Sequence, residues 1–234
     1  MRRLRAMTYN IHRGRGVDWK VDIGRIADVI ASYDPDIVAL QEVDIGRKRS
    51  GGVDQANELA IRLGMNMVFA PNMQWSDTEH YGIATLTRLP IKTTRHLKLP
   101  LRYRSEPRSS LITVLGWGEG QVVEMINTHL SILFKERAGQ VAAIAAEMAN
   151  EALIIAGDFN MTPWSPAYRL LRHGSFLHSA TRFARTWPAP APFVPLDHIL
   201  YRGQVEVVRA EAWLGGPARV ASDHLPVVVE LQAA

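Results

Sequence analysis

Short apolar runs alternate along this chain with stretches whose apolar residues recur at helical spacing. Residues 4–9 read as a strand. Ile23, Ile26, Ala27 and Ile30 fall at i, i+3, i+4 and i+7, the period of one helical face. Pro35 ends that helix, because the residue before a proline avoids the helical region, and a buried strand begins over 36–40. Leu59 and Leu63 mark a second helix, stopped at Gly64. Strands are expected at 67–69, 82–87, 111–115 and 122–127, with Gly116-Trp117-Gly118-Glu119-Gly120 as the hairpin turn between the last two. Val141, Ile144, Ala145 and Met148 predict a third helix, followed by strands at 153–156, 196–201, 205–212 and 225–231. The segment 185–195, with Pro188, Pro190, Pro192 and Pro195, reads as a surface loop and not as a domain boundary. There is no short-period repeat. Two strand-rich halves of comparable length predict an α/β fold over 1–234, with two sheets packed face to face and helices outside.

Composition narrows the chemistry. With 47% hydrophobic residues among 234, one large core is enough to hold the chain together. The absence of cysteine excludes disulfides, thiolate nucleophiles and Cys-ligated zinc, and fits a reducing compartment. A formal net charge of +4, mostly arginine, suits an anionic substrate and equally an arginine-rich proteome. No block of like charge forms a nucleic-acid tail. The basic start has no apolar segment after it, since Thr8 and Asn10 interrupt 6–11, so no signal peptide is expected. The longest apolar runs, such as 153–156 and 227–229, are too short to cross a bilayer. The expectation is a soluble, cytoplasmic monomer.

The informative feature is where polar residues interrupt the apolar pattern. Asn10 follows the first strand, Glu42 the second, His129 closes the strand at 122–127, and Asp158 follows 153–156 and Gly157. In α/β folds, sites assemble in loops at the carboxyl ends of strands. Any one of these residues alone would be an ordinary strand terminator. Together they predict one polar cavity at a sheet edge.

Five short motifs occur in order: Thr8-Tyr9-Asn10-Ile11, Gln41-Glu42-Val43, Asn127-Thr128-His129-Leu130, Gly157-Asp158-Phe159-Asn160 and Ser222-Asp223-His224-Leu225-Pro226. The set closely resembles the endonuclease/exonuclease/phosphatase superfamily. The segments 81–90 and 196–200 also look like its inner strands, so the resemblance spans about residues 4 to 230. It implies a deoxyribonuclease I-like fold, a four-layer α/β sandwich of two mixed β-sheets flanked by helices.

Carried over residue by residue, the resemblance assigns Asn10, Glu42 and Asp223 to a metal, expected to be Mg2+ with Mn2+ as an option. Magnesium takes hard oxygen ligands and keeps several waters. Asp158 matches the aspartate that orients or deprotonates the attacking water, and Asn160 the residue that hydrogen-bonds the phosphoryl group. Gly157 is expected to let the backbone turn sharply there. His129 and His224 match the two histidines that bear on phosphoryl oxygens, with His224 the better acid–base candidate. Asp197 resembles the carboxylate that fixes the tautomer of His224. The physics agrees: Glu42, Asp158, Asp197 and Asp223 converging without a cation would repel one another.

Other residues carry two readings each. Tyr81 is expected to face a phosphate, and Arg108 to contact substrate or form a salt bridge where a strand begins. Glu79 is a possible partner of His129. Arg47, Lys48 and Arg49 read as a solvated basic loop before they read as a second phosphate grip. His12 and Arg13 face the pocket or solvent; His96, His173 and His178 carry no motif and read as surface or structural. Trp164, Trp75 and Trp187 could stack on a base, touch lipid or cover the pocket, and core packing across a loop is the favoured reading.

The expected function is magnesium-dependent hydrolysis of a phosphoester by in-line attack of water. The substrate is a small molecule, a phospholipid headgroup or a nucleic acid, with a small or lipid phosphodiester favoured over duplex DNA. The alternatives are a nuclease acting on DNA or RNA, and a catalytically silent scaffold that binds phosphate.

Overall fold

A computed structural model describes residues 3–118, 120–181 and 183–233. The chain runs β1 (Arg3–Asn10), α1 (Ile23–Tyr33), β2 (Ile37–Ile45), α2 (Gln55–Leu63), β3 (Asn66–Gln74), β4 (His80–Thr87), β5 (Ile91–Lys98), β6 (Ser109–Gly116) and β7 (Val122–His129). It continues through α3 (Phe134–Ala146), β8 (Leu153–Asp158), α4 (Pro166–Gly174), β9 (His178–Ser179), β10 (Asp197–Arg202), β11 (Val205–Ala212), α5 (Ala218–Ala221) and β12 (Val227–Ala233).

Two six-stranded mixed sheets result, ordered β11-β12-β1-β2-β4-β3 and β5-β6-β7-β8-β10-β9. One parallel pair lies at the centre of each, β1 with β2 and β7 with β8. The two sheets do not correspond to the two halves of the sequence, because β11 and β12 return to the first sheet and β12 pairs antiparallel with β1. Leu4, Ala6, Ile37, Ala39, Met125, Ile154, Ile199, Val227 and Val229 fill the space between the sheets. Each such fully buried aliphatic side chain contributes about 1.5–3 kcal/mol. Outside, α1 and α2 cover the first sheet and α3 and α4 the second, which makes the expected four layers.

Local chemistry explains the helix limits. The Asp22 side chain caps α1 by accepting from Arg25 N, and Asp34 closes it in the left-handed region just before Pro35. Asp54 and Gly64 do the same for α2. The pattern missed four elements: β5, α4 and the short β9 and α5. Strand β5 lies at a sheet edge and is largely exposed, so it lacks an apolar face to mark it. Helix α4 is only nine residues long, too short for its buried Ala167, Tyr168 and Leu171 to show a repeating period, although Ser165 caps it and Pro166 sits at its first turn. Met148 lies beyond the end of α3. The turn between β6 and β7 is a hairpin as expected, with Glu119 outside the described residues. Among the described residues, no helix is long and apolar enough to cross a membrane.

Candidate active site

The polar strand ends do not gather at one sheet edge; they come from both sheets at one end of the sandwich. Asn10 ends β1, and Glu42 sits in β2 at an irregularity in its pairing with β4. His129 ends β7 directly beside Asp158 at the end of β8, and Asp197 opens β10 opposite Asp158. Asp223 and His224 precede β12, which runs antiparallel to β1 and so starts at the same end. A buried polar tie holds the two sheets in this relation. Gln41 Nε2 donates to Asn127 Oδ1 at 2.8 Å, and Asn127 Nδ2 donates to Ala84 O at 2.8 Å and Leu40 O at 3.1 Å.

Two backbone features aim the side chains. Glu42 and Asn160 are held at φ 57 and φ 49, in a region that costs a non-glycine residue about 1 kcal/mol or more. Gly157 is needed for a reason other than the expected sharp turn: a Cβ there would collide with the Thr128 carbonyl of the neighbouring strand.

Asp158 is the hub. Its Oδ2 accepts from Asn10 Nδ2 at 3.0 Å and lies 3.3 Å from His129 Nε2 and 4.0 Å from His224 Nε2. Its Oδ1 accepts from Asn160 N at 2.9 Å. Burial raises its pKa, but the bond from His129 and the charge of His224 outweigh this and hold it below the usual carboxylate range.

The two histidines have opposite partners. His224 Nδ1 donates to Asp197 Oδ2 at 2.8 Å. Burial lowers the pKa of His224, yet Asp197 and Asp158 overcome it and push it up to about 10. His129 Nδ1 accepts from Arg108 Nη1 at 2.9 Å, and Arg108 is in turn paired with Glu106 at 2.6 Å. A guanidinium can only donate, so His129 carries its proton on Nε2, facing Asp158. Arg108 is thus a partner of His129 that the sequence pattern did not indicate. Its salt bridge was foreseen, but its grip on the histidine was not.

The surroundings of Glu42 would suit a metal ligand. Its carboxylate accepts one hydrogen bond, from Asn10 Nδ2 at 3.3 Å, and has no ion pair among the described residues. Burial raises its pKa, but the basic surroundings, Arg13 among them, and the bond from Asn10 bring it below the ordinary value. An ionised, half-buried carboxylate with no ion-pair partner among the described residues fits a hard divalent cation. Asp223 adds a second oxygen-bearing group, its Oδ1 3.4 Å from His12 Nδ1. Asn10 fits less directly, since its Oδ1 already accepts from His12 N at 3.0 Å. Oxygen and nitrogen atoms of Asp158, Asp197 and His224 also lie within 4.8 Å of one another. There, however, His224 sits between two carboxylates as a proton-bearing group, an arrangement that suits a proton better than a metal.

The weaker candidates separate cleanly. Tyr81 is buried near the site, with Arg49 5.2 Å over its ring; burial first, then Glu42 and Glu106, raise its pKa. Glu79 does not pair with His129; it binds Arg47 at 2.7 Å. Arg49 is committed to the buried Asp44, and Lys48 is exposed. His12 faces Asp223 and accepts from Arg15 Nη2 at 3.0 Å. His96, His173 and His178 stay outside the cluster. Trp164, Trp75 and Trp187 do not pack into the core. Trp164 is exposed and stacked on Phe183, Trp75 is exposed under Arg47, and Trp187 is partly exposed against Phe193.

The sequence matches the family model described as "Endonuclease/Exonuclease/phosphatase family" over residues 7–224. The chain belongs to the endonuclease/exonuclease/phosphatase family. No curated protein sequence matches it. Solved structures of the same fold include the endonuclease/exonuclease/phosphatase from Beutenbergia cavernae, with a TM-score of 0.83 and 24% identity, covering 100% of this chain and 72% of that one. The catalytic domain of human nocturnin with bound sulfate anion superposes with a TM-score of 0.78 at 23% identity, covering 99% of this chain and 95% of that one. The mannosyl-6-phosphatase from Bacteroides thetaiotaomicron gives a TM-score of 0.80 at 19% identity, covering 98% and 99%. Members of the endonuclease/exonuclease/phosphatase family are typically hydrolases of phosphoesters, and many use a divalent metal.

Proposed function

We propose that this chain is a magnesium-dependent phosphoester hydrolase in which water attacks phosphorus in line. The observation that carries the reading is the convergence on Asp158 of Asn10 from one sheet and His129, Asn160 and His224 from other elements, beside an unpaired Glu42. One similar structure is described as a phosphatase and another holds a sulfate anion, which supports an oxyanion substrate.

Magnesium would be held by Glu42, with Asp223 and Asn10 beside it, and when bound would supply neutralising charge for the phosphoryl oxygens. Asp158 holds the attacking water in line. Its depressed pKa makes it a weak base, better suited to orienting water than to removing a proton before attack. Asn160 reaches the phosphoryl group with its amide. His224, kept protonated by Asp197, neutralises charge building on the phosphoryl oxygens and gives its proton to the leaving oxygen. His129 offers a neutral N–H from the other side. Tyr81 and Arg108 line the substrate side of this cluster.

The test is hydrolysis of bis(p-nitrophenyl) phosphate by the purified full chain. Turnover should require added magnesium, with manganese substituting, and should vanish on EDTA treatment and return on adding metal back. Activity that survives EDTA sinks the metal reading, and binding of phosphate without any turnover favours the silent scaffold.

A further inference from the structure

The loop between β5 and β6 and the loop between β7 and α3 lie together beside the active site. Glu136, buried in α3, accepts from Arg102 N at 3.1 Å, Tyr103 N at 3.0 Å and Ser105 Oγ at 3.0 Å. Gln140 accepts from Ser131 N at 2.9 Å and donates to Pro100 O at 3.3 Å. Leu99 N donates to Arg108 O at 2.9 Å and closes the first loop. The backbone of both loops is therefore fixed, yet the tips point apolar groups outward. Phe134 is 72% exposed and Ile132 66%, with Leu101, Tyr103 and Leu133 exposed as well. Leu133 occupies the N-cap position of α3 with no capping bond, where Ser or Asp would stabilise the helix.

Charge frames these tips. Arg102, Arg104 and Lys135 are exposed and have no ion pair among the described residues. The nearby acids do not offset them, because Glu136 is turned inward and Glu106 is paired with Arg108. A cavity of about 300 Å³ lies between the loops, lined in part by Arg104, Ser105, Ile132 and Arg108, the residue that also holds His129.

We propose that these two loops form a docking patch for an anionic lipid surface, placed so that the active site opens onto the membrane plane. Aliphatic and aromatic tips ringed by unpaired cations match an interface of apolar chains and anionic headgroups. A nucleic acid strand is a poorer fit, since three of the five exposed tips, Leu101, Ile132 and Leu133, are aliphatic and offer no flat face to a base, which leaves only Tyr103 and Phe134 to stack. Where the hydrolase reading holds, and resting on it, the substrate is a phosphodiester of a lipid headgroup. The docking itself does not depend on turnover.

Co-sedimentation of the full chain with phosphatidylcholine vesicles, with and without phosphatidylglycerol, tests this. Wild type should pellet with the anionic vesicles. The I132S/F134S and R102E/R104E variants should each bind at least about tenfold more weakly, since each cation near such a surface adds a comparable increment and so does each buried apolar tip. Both variants should hydrolyse bis(p-nitrophenyl) phosphate as wild type does, which also reports that they are folded. The inference is overturned if wild type stays in the supernatant, or if the variants bind vesicles like wild type. Retention of single-stranded RNA by these residues, without vesicle binding, also overturns it. A chain that binds vesicles through these residues but hydrolyses nothing keeps this inference and loses only the hydrolase reading.

Discussion

Two histidines flank the same aspartate and are made different by what stands behind them. Behind His224 is the Asp197 carboxylate at 2.8 Å, and behind His129 is the Arg108 guanidinium at 2.9 Å. The first partner stabilises an imidazolium, while the second can only donate and so fixes a neutral ring with its proton on Nε2. A third histidine, His198, follows Asp197 in sequence but has no charged partner. It is packed against Phe159 and Tyr168, with Nε2 donating to Met161 O at 2.8 Å. Burial lowers its pKa to about 4. One residue type serves as cation, neutral donor and core filler within one protein, so the partner and not the histidine sets the chemistry.

Breaking the first pair should have the largest effect. Asp197→Asn keeps the shape but removes the charge that stabilises the imidazolium and holds its tautomer. The expected loss is about three orders of magnitude in kcat, measured on a chromogenic phosphodiester with magnesium. A loss under tenfold contradicts the role given to His224.

Arg108→Met should cost less, about tenfold to a hundredfold, the worth of one charge-assisted hydrogen bond. The ring-nitrogen NMR shifts of His129 should change from a single tautomer to a mixture, and Arg108→Lys should restore part of both signals. Unchanged shifts would mean that Arg108 does not hold the ring.

The last effect is on stability and not on turnover. The unfolded chain protonates His198 near its ordinary value of 6.5, whereas the folded chain resists until about 4. The unfolded state therefore binds more protons in that window, and stability falls as pH drops through it, by roughly 3 kcal/mol in total. His198→Gln should flatten this acid limb in chemical denaturation series, and an unchanged limb would assign the acid sensitivity elsewhere.

Much of this arrangement was legible in the sequence because strand ends announce themselves. Asn10, His129 and Asp158 each interrupt an apolar run, and the ordered motifs around them carried the family. Asp197 as the partner of His224 was also foreseen from resemblance. What stayed hidden depends on approach across space. Arg108 reaches His129 from the residue just before the neighbouring strand β6, and no local pattern states which of Glu79 or Arg108 arrives there. Gly157 looked like a turn residue, whereas it is required by the Thr128 carbonyl of the next strand. Strand β5 escaped because an edge strand that is largely exposed leaves no apolar signature, and helix α4 because nine residues are too few for its buried face to repeat.

The central claim is that the Asp158 cluster is a hydrolytic centre. Asp158→Asn preserves size and much of the hydrogen bonding while removing the charge. With magnesium present and circular dichroism unchanged, hydrolysis of bis(p-nitrophenyl) phosphate should fall by at least about three orders of magnitude. A folded Asp158→Asn protein that turns over this substrate within tenfold of wild type would contradict the account.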